Sequence, residues 1–267
     1  MSVASDINFG LYSSSKVLVT SEAGDRLEIK DNIIFKQGVA DAENIIRVYP
    51  DIIKQTLSGI GTSFTESSAF VLAHLEDNKR AEVMNYIFSE QGANFSLTRT
   101  PIGATDFSVE GKYSYADVEH DTALKHFSIA VDYDGFKSKQ YPGIKDEAYD
   151  VLPMIQQALE IKKQQNDSDF RIIASAWTAP PWMKDIEVWY QPGSAKNNYN
   201  GTGGSLRPEY SGTFADYIVR YLDAYKMQGI DIWGLTPVNE PLGNNGQWES
   251  MHFTPESQRD FIKDHLG

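Results

Sequence analysis

The stretch that decides the fold covers residues 170–182 and reads FRIIASAWTAPPW. Its first half is an apolar run of strand length, which is typical of a strand buried on both faces of a parallel sheet. Its second half places aromatic and polar residues beside prolines, at the point where such a strand would end. The segment therefore predicts a parallel strand with residues suited to binding or catalysis at its carboxyl end.

Helical patterns stand on both sides of this strand. Apolar residues recur at helical spacing after Pro153, and they recur again over residues 214–225 before Gly229. Further strands are predicted at 55–60, 93–100 and 230–236, and further helices are predicted with Asp77, Thr213 and Thr254 as their N-terminal caps. Strands that alternate with helices indicate an α/β fold with a parallel sheet.

Two α/β architectures compete at this point, an open doubly wound sheet and a (β/α) barrel. The segment Gly59-Ile60-Gly61 lacks a third glycine at the spacing of a dinucleotide-binding loop, so it carries no nucleotide fingerprint. The first 50 residues differ from the rest because they contain only strand patterns, at 16–20, 26–30 and 44–49. We therefore predict two parts, residues 1–50 and residues 51–267.

Composition excludes several classes of protein. The chain has 267 residues, 24 basic and 37 acidic side chains, and a formal net charge of −13, which disfavours nucleic acid as a partner. It has no cysteine, no apolar run long enough to span a membrane and no pair of histidines at the His-Glu-x-x-His spacing. We expect no metal and no membrane span. The N-terminus lacks the pattern of a signal peptide, so either the protein stays inside the cell or a signal lies outside this sequence.

The carboxyl ends of the predicted strands are where a barrel would carry its chemistry. Glu240 follows Asn239 at one such end, and a carboxyl group there suits a general acid that protonates a leaving oxygen. The alternative reading is a solvated glutamate in a turn. Trp177 and Trp182 flank a proline pair and could stack on sugar rings, whereas Trp233 is better read as a core residue.

Five segments carry a resemblance to a known family, and they occur in the family's order over roughly residues 55–267. They are GIGTSFTE at 59–66, FSLTRTPIG at 95–103, ASAWTAPPWMK at 174–184, VNEP at 238–241 and FTPESQRDFI at 253–262. On these segments the chain resembles glycoside hydrolase family 30, which contains glucosylceramidases and related retaining β-glycosidases.

The resemblance implies a (β/α)8 TIM barrel, of which about the first four strand–helix units are present here. Residues 1–50 would then supply strands of a β-sandwich at its side. It also implies a glycosidase without a cofactor, in which Glu240 is the acid/base and Asn239 contacts the sugar near its 2-hydroxyl. Glu66, Trp177 and Trp182 are expected to contact the sugar, and Arg99 is expected to support the catalytic carboxylates.

One part of the family pattern is not matched. A retaining glycosidase needs a second carboxylate as nucleophile, which the family places after its seventh barrel strand and therefore beyond residue 267. Glu66 and Asp106 are the nearest acidic residues on the predicted rim, but the family assigns neither of them that role. Three hypotheses remain: part of a retaining β-glycosidase, a carbohydrate-binding protein without activity, or a barrel closed by two copies or two fragments.

The resemblance leaves the substrate open among glucosylceramide, other β-glucosides and β-1,6-glucan. Members of the family are often extracellular or lysosomal, but the compartment of this chain stays open. A half barrel would leave strand edges and apolar surface uncovered, so we also expect self-association.

Overall fold

A computed structural model of the chain describes residues 14–36, 38, 42–137, 141–167, 169–198, 200–243 and 246–267. The N-terminal residues on which the absence of a signal peptide was judged lie outside these ranges. The chain divides into two compact units between Thr56 and Leu57.

The first unit contains an antiparallel ribbon. Strand β1 (Ser14–Val19) pairs with β2 (Glu28–Ile34) with an irregularity in register near its start. Every residue of β2 is exposed, including Ile29 and Ile33. The strand predicted at 44–49 is wrong, because that segment is irregular and its apolar residues find no partner strand among the described residues.

The second unit is built on a four-stranded parallel sheet in the order β3, β4, β5, β6. Its strands are β3 (Gly61–Ser63), β4 (Leu97–Ile102), β5 (Arg171–Ala176) and β6 (Gly234–Thr236). The strand predicted at 55–60 begins only at Gly61, where a Cβ atom would overlap the carbonyl oxygen of Leu97 on the neighbouring strand. Glycine thus permits the close approach of β3 to β4.

Six α-helices in the described residues accompany the sheet, and the α/β prediction is confirmed. They are α1 (Glu66–Ala73), α2 (Asp77–Phe88), α3 (Val131–Asp134), α4 (Val151–Gln164), α5 (Ser211–Met227) and α6 (Pro255–Phe261). Short 3₁₀ turns occupy Pro181–Met183, Ala195–Asn197 and Pro208–Tyr210, and a π turn occupies Ile262–Leu266.

Helix starts follow local capping chemistry, with two corrections. Thr254 caps α6 and shares a capping box with Ser257, as the sequence indicates. Asp77 is the first residue of α2 rather than its cap. Thr213 lies inside α5 and is buried, because that helix begins earlier, after Tyr210.

The two faces of the sheet have different surroundings. Thr98, Thr100 and Ile102 of β4 are buried, whereas Arg99 and its neighbours in alternate positions are half-buried. Helix α5 contributes the apolar face predicted from its periodicity, including the fully buried Phe214. Trp233 is not a core residue: it is 60% exposed, and the guanidinium of Arg171 lies 5.0 Å from its ring.

Candidate active site

Polar side chains from β4, from β5 and from the segment after β6 meet on the half-buried face of the sheet. Arg99 on β4 donates from Nη2 to Ser175 Oγ on β5 at 2.7 Å and to Asn239 Oδ1 after β6 at 2.7 Å. These residues are up to 140 positions apart in sequence. They meet because parallel strands present their carboxyl ends at the same edge of a sheet.

Arg99 also stacks on an aromatic ring. Its guanidinium lies 4.5 Å from the centre of the Trp177 ring, within the range of a cation–π contact. Burial lowers the pKa of Arg99, and the carboxylate of Glu240 acts in the opposite direction, which places Glu240 within electrostatic range. The structure thus brings together four predicted site residues: Arg99, Trp177, Asn239 and Glu240.

Glu240 is exposed and sits in a turn. Its φ of 45° is left-handed, a conformation that is uncommon for residues other than glycine and that clusters at functional sites. The turn is closed by a bond from Gly243 N to Glu240 O at 2.9 Å. Asn239 N donates to Ala176 O at 2.6 Å, so the turn is fastened to the end of β5.

A cavity of about 790 Å³ lies beside this group. Thr62 and Ser63 of β3, Arg99, Phe107 and Trp177 belong to its lining. Phe107 is 50% exposed and was not singled out in the sequence, although it directly follows the candidate Asp106. The volume falls in the range of small-ligand sites, and the lining combines these hydroxyl and aromatic groups with aliphatic side chains such as Val71 and Ile87.

Glu66 faces a loop rather than open solvent. Only 3% of it is exposed, and its Oε2 accepts from the backbone N–H groups of Val109 and Glu110, the latter at 3.1 Å. Ser67 at the start of α1 also donates to Phe107 O. Glu66 therefore holds the loop that carries Phe107, and its contact with a sugar stays a prediction.

Trp182 is packed into the structure. It is 4% exposed, its indole N–H donates to Ala116 O at 2.8 Å, and its ring packs edge-on against Tyr210. The residue connects the segment after β5 to the loop after β4. Its predicted role as a sugar platform also stays a prediction, because the observed contacts are structural.

Lys184 was not singled out in the sequence, although it ends one of the motifs. It is fully buried, and its Nζ donates to the carbonyl oxygens of Trp189, Gly203 and Ser250 at 2.8, 2.8 and 3.2 Å. Burial lowers its pKa to about 7, and Asp185 acts in the opposite direction. Lys184 thus fastens the loops that follow β5 and β6.

The described residues hold no group of three or more His, Asp or Glu side chains placed to bind a metal ion. Of the helices in the described ranges, none is both long enough and apolar enough to cross a bilayer. The groups that meet at the sheet edge are a carboxyl group, an amide, a guanidinium and an aromatic ring.

These groups, at the end of a parallel α/β sheet, are of the kinds that glycoside hydrolases use. Residues 57–267 match the family described as the glycosyl hydrolase family 30 TIM-barrel domain. The chain belongs to glycosyl hydrolase family 30.

Named relatives support the same assignment. A lysosomal acid glucosylceramidase of the mouse, Mus musculus, is 30% identical over 226 residues, which are 84% of this chain and 39% of that protein. Among solved structures, SrfJ from Salmonella typhimurium is 26% identical with a TM-score of 0.75, covering 95% of this chain and 49% of that one. The endo-β1,6-glucanase BT3312 is 30% identical with a TM-score of 0.61, covering 82% and 42%. The chain thus spans less than half the length of these relatives.

Ser175 and Thr236 join the polar side chains at this sheet edge, although neither was singled out in the sequence. The two hydroxyl groups hydrogen-bond to one another, and Ser175 accepts from Arg99. The sequence did contain a feature that could have drawn attention to them, because both are small polar residues at the ends of predicted apolar strands. Their pairing, however, depends on the register of β5 against β6.

Proposed function

We propose that this chain supplies the acid/base half of the active site of a retaining β-glycoside hydrolase that acts on β-glucosides. The observation that carries the proposal is the joining of Asn239 to Arg99 at 2.7 Å directly before the exposed Glu240. The Asn239–Glu240 pair thus stands beside a cavity with an aromatic wall, where a sugar and its leaving group could be oriented.

In the proposed reaction Glu240 works twice. First it donates its proton to the glycosidic oxygen while a carboxylate attacks the anomeric carbon, so that the leaving group departs as a neutral alcohol. Then Glu240 takes a proton from water as the water oxygen displaces that carboxylate from the sugar. Neither carboxylate is consumed in the complete cycle.

The attacking carboxylate is assigned to no residue of this chain. The family resemblance puts it beyond residue 267, after a later barrel strand. We propose accordingly that residues 51–267 form about the first four units of a (β/α)8 barrel, and that residues 1–50 contribute to a β-sandwich at its side. The parallel order β3 to β6 with helices in between supports the first of these assignments.

The substrate proposed first is a glucosylceramide-like β-glucoside, because a glucosylceramidase is among the relatives at 30% identity. A β-1,6-glucan is the second candidate, favoured by the similarity to the endo-β1,6-glucanase BT3312. A carbohydrate-binding role without turnover is the third, and it is the expected behaviour if no nucleophile reaches the site.

The test is hydrolysis of a fluorogenic aryl β-glucoside by the chain and by Glu240→Gln, with Glu119→Gln as a matched exposed control. We expect Glu240→Gln to lose at least about 100-fold in any turnover, the usual contribution of a general acid, while Glu119→Gln is unchanged. Equal turnover in all three proteins would contradict the role of Glu240. Binding of the glucoside without turnover in any of them would support the third candidate.

We also propose that the chain self-associates. Within the described residues β3 and β6 are the edges of the sheet, and the side chains of β3 are exposed. Open edges invite pairing with another chain. Light scattering on the eluting protein should give a mass above 29.9 kDa; a single species at the monomer mass would contradict this.

A further inference from the structure

Four polar side chains form a continuous line of hydrogen bonds across the ends of three strands. Asn239 Oδ1 and Ser175 Oγ each lie 2.7 Å from Arg99 Nη2, and Ser175 Oγ in turn contacts Thr236 Oγ1. Ser175 is fully buried, while Arg99 and Asn239 are partly exposed. The line therefore passes through the buried Ser175 and ends at Asn239 in the candidate site.

The chemistry of arginine sets the direction of its own two bonds in this line. A guanidinium has only donors, so Ser175 Oγ and Asn239 Oδ1 must both act as acceptors towards Arg99. Between Ser175 and Thr236 either hydroxyl can be the donor. Since the amide oxygen of Asn239 is turned to Arg99, its NH₂ group is directed away from that arginine.

We infer that Ser175 and Thr236 are positioning residues, which hold Arg99 so that Asn239 presents its amide N–H donors to a sugar hydroxyl. The inference rests on the proposed function, because the hydroxyl belongs to the β-glucoside proposed as substrate. The guanidinium is held on one side by the Trp177 ring and at its end by the Ser175 hydroxyl. Without that hydroxyl, Asn239 is the one acceptor of these two that remains for Arg99 Nη2. The guanidinium is then no longer held in place, so it no longer fixes the orientation of the Asn239 amide.

If this is so, the preference for a sugar that carries the hydroxyl depends on Ser175 and Thr236, which do not touch the sugar themselves. A site built to hydrogen-bond a substrate hydroxyl discriminates against the analogue that lacks it, provided that the protein group is held in place. The wild-type chain should therefore bind an aryl β-glucoside more tightly than its 2-deoxy analogue, by roughly threefold to tenfold for one net hydrogen bond.

The test compares the ratio of these two affinities, measured by calorimetric titration, across matched variants. Ser175→Ala and Thr236→Val should bring the ratio close to one, whereas Thr236→Ser, which keeps the hydroxyl, should retain it. Thr98→Val is the control for a general structural effect, because Thr98 is also buried in β4 and its hydroxyl donates to Arg171 O at 3.3 Å, outside this line. An unchanged ratio in Ser175→Ala and Thr236→Val, or an equal fall in Thr98→Val, would overturn the inference.

A second measurement separates failure of this inference from failure of the proposed function. Nitrogen-15 NMR of the arginine side chains should show slow rotation of the Arg99 guanidinium in the wild type, with Arg99→Lys identifying its signal. We expect that rotation to become fast in Ser175→Ala. If the wild-type chain bound neither glucoside, the proposed function would fail for this chain, and the NMR comparison would still decide the positioning role. An Arg99 signal that is equally slow in both proteins would overturn it.

Discussion

Asp132 and Glu240 are acidic side chains of the same unit in opposite surroundings. Asp132 is 2% exposed, and its carboxyl group accepts from the hydroxyls of Tyr115 and Tyr225 at 2.7 Å each and of Tyr113 at 3.4 Å. Burial raises its pKa to about 7, although the tyrosines act in the opposite direction. Glu240 is exposed, lies in a left-handed turn and neighbours Arg99.

The comparison teaches that a strongly perturbed pKa does not by itself locate a reaction. Perturbed groups cluster at functional sites, but structural networks perturb pKa values as well. Asp150, the cap of α4, is a second buried acid, and burial raises its pKa to about 8. Asp132 and Asp150 have raised pKa values but are enclosed by the fold, whereas Glu240 is exposed beside Arg99, where we propose that it meets a glycosidic oxygen.

The largest expected effect on stability comes from substituting Asp132, the buried acid of this pair. Asp132→Ala removes the acceptor shared by three tyrosine hydroxyls, so we expect it to lower the free energy of unfolding by about 3–5 kcal/mol. Urea unfolding at pH 5, followed by near-ultraviolet circular dichroism, measures it. Asp132→Asn, which keeps an acceptor oxygen, is the control and should lose much less. A loss from Asp132→Ala as small as that from a surface substitution would show that the tyrosines do not depend on this carboxyl group.

The second effect concerns Lys184, a buried charge whose acceptors lie in the loops after β5 and β6. Lys184→Met removes the bond that the ammonium group donates to each of three carbonyl oxygens, so the expected loss in unfolding free energy is about 2–4 kcal/mol. Lys196→Met, at an exposed position in the same loop region, is the matched control. Equal stability of the two variants would mean that the loops are held by other contacts.

The third effect is a dependence of stability on pH. The pKa of Asp132 is raised in the folded state, so its stabilising contribution is full below about pH 4 and is lost as the pH rises through about 7. One proton corresponds to a fall of up to about 1.4 kcal/mol per pH unit in that window. Unfolding free energies measured from pH 4 to pH 8 should show this fall.

Asp132→Asn provides the comparison for that profile, because it cannot ionise. Its unfolding free energy should fall less steeply between pH 4 and pH 7, and the fall that remains should come from Asp150, whose pKa is raised to about 8. Parallel profiles for the two proteins would assign the pH dependence to other groups.

The smallest effect on stability is expected from substituting Glu240, the exposed acid. Glu240→Gln should change the unfolding free energy by less than about 0.5 kcal/mol, because surface substitutions that break no buried contact are usually close to neutral. The same urea titration measures it, and the Asp132→Ala variant serves as the sensitive reference. A loss above about 2 kcal/mol would show that Glu240 stabilises the fold, and the two acids would then not differ in the way described here.

The sequence determined the α/β class, the alternation of the main strands and helices in residues 57–267, and the family, whereas helices α1 and α3 were not predicted. Each of these depends on local pattern: the 3.6-residue periodicity of α5, the capping box at Thr254 and the apolar run of β5. Glu240 was singled out for the same reason, because it follows a predicted strand, whereas the role expected of Asn239 came from the family resemblance. The strands predicted at 44–49 and 55–60 failed because an apolar run becomes a strand only when a partner strand pairs with it.

Tertiary structure alone decided which side chains meet. The bond between Tyr225 and Asp132 joins residues 93 positions apart, and the line from Thr236 through Ser175 to Arg99 requires the register of three strands. It also decided that Trp182 and Glu66 are buried beside loops while Trp233 is exposed. The physical reason is that burial and hydrogen bonding depend on distances through space, which a local pattern in the chain does not contain.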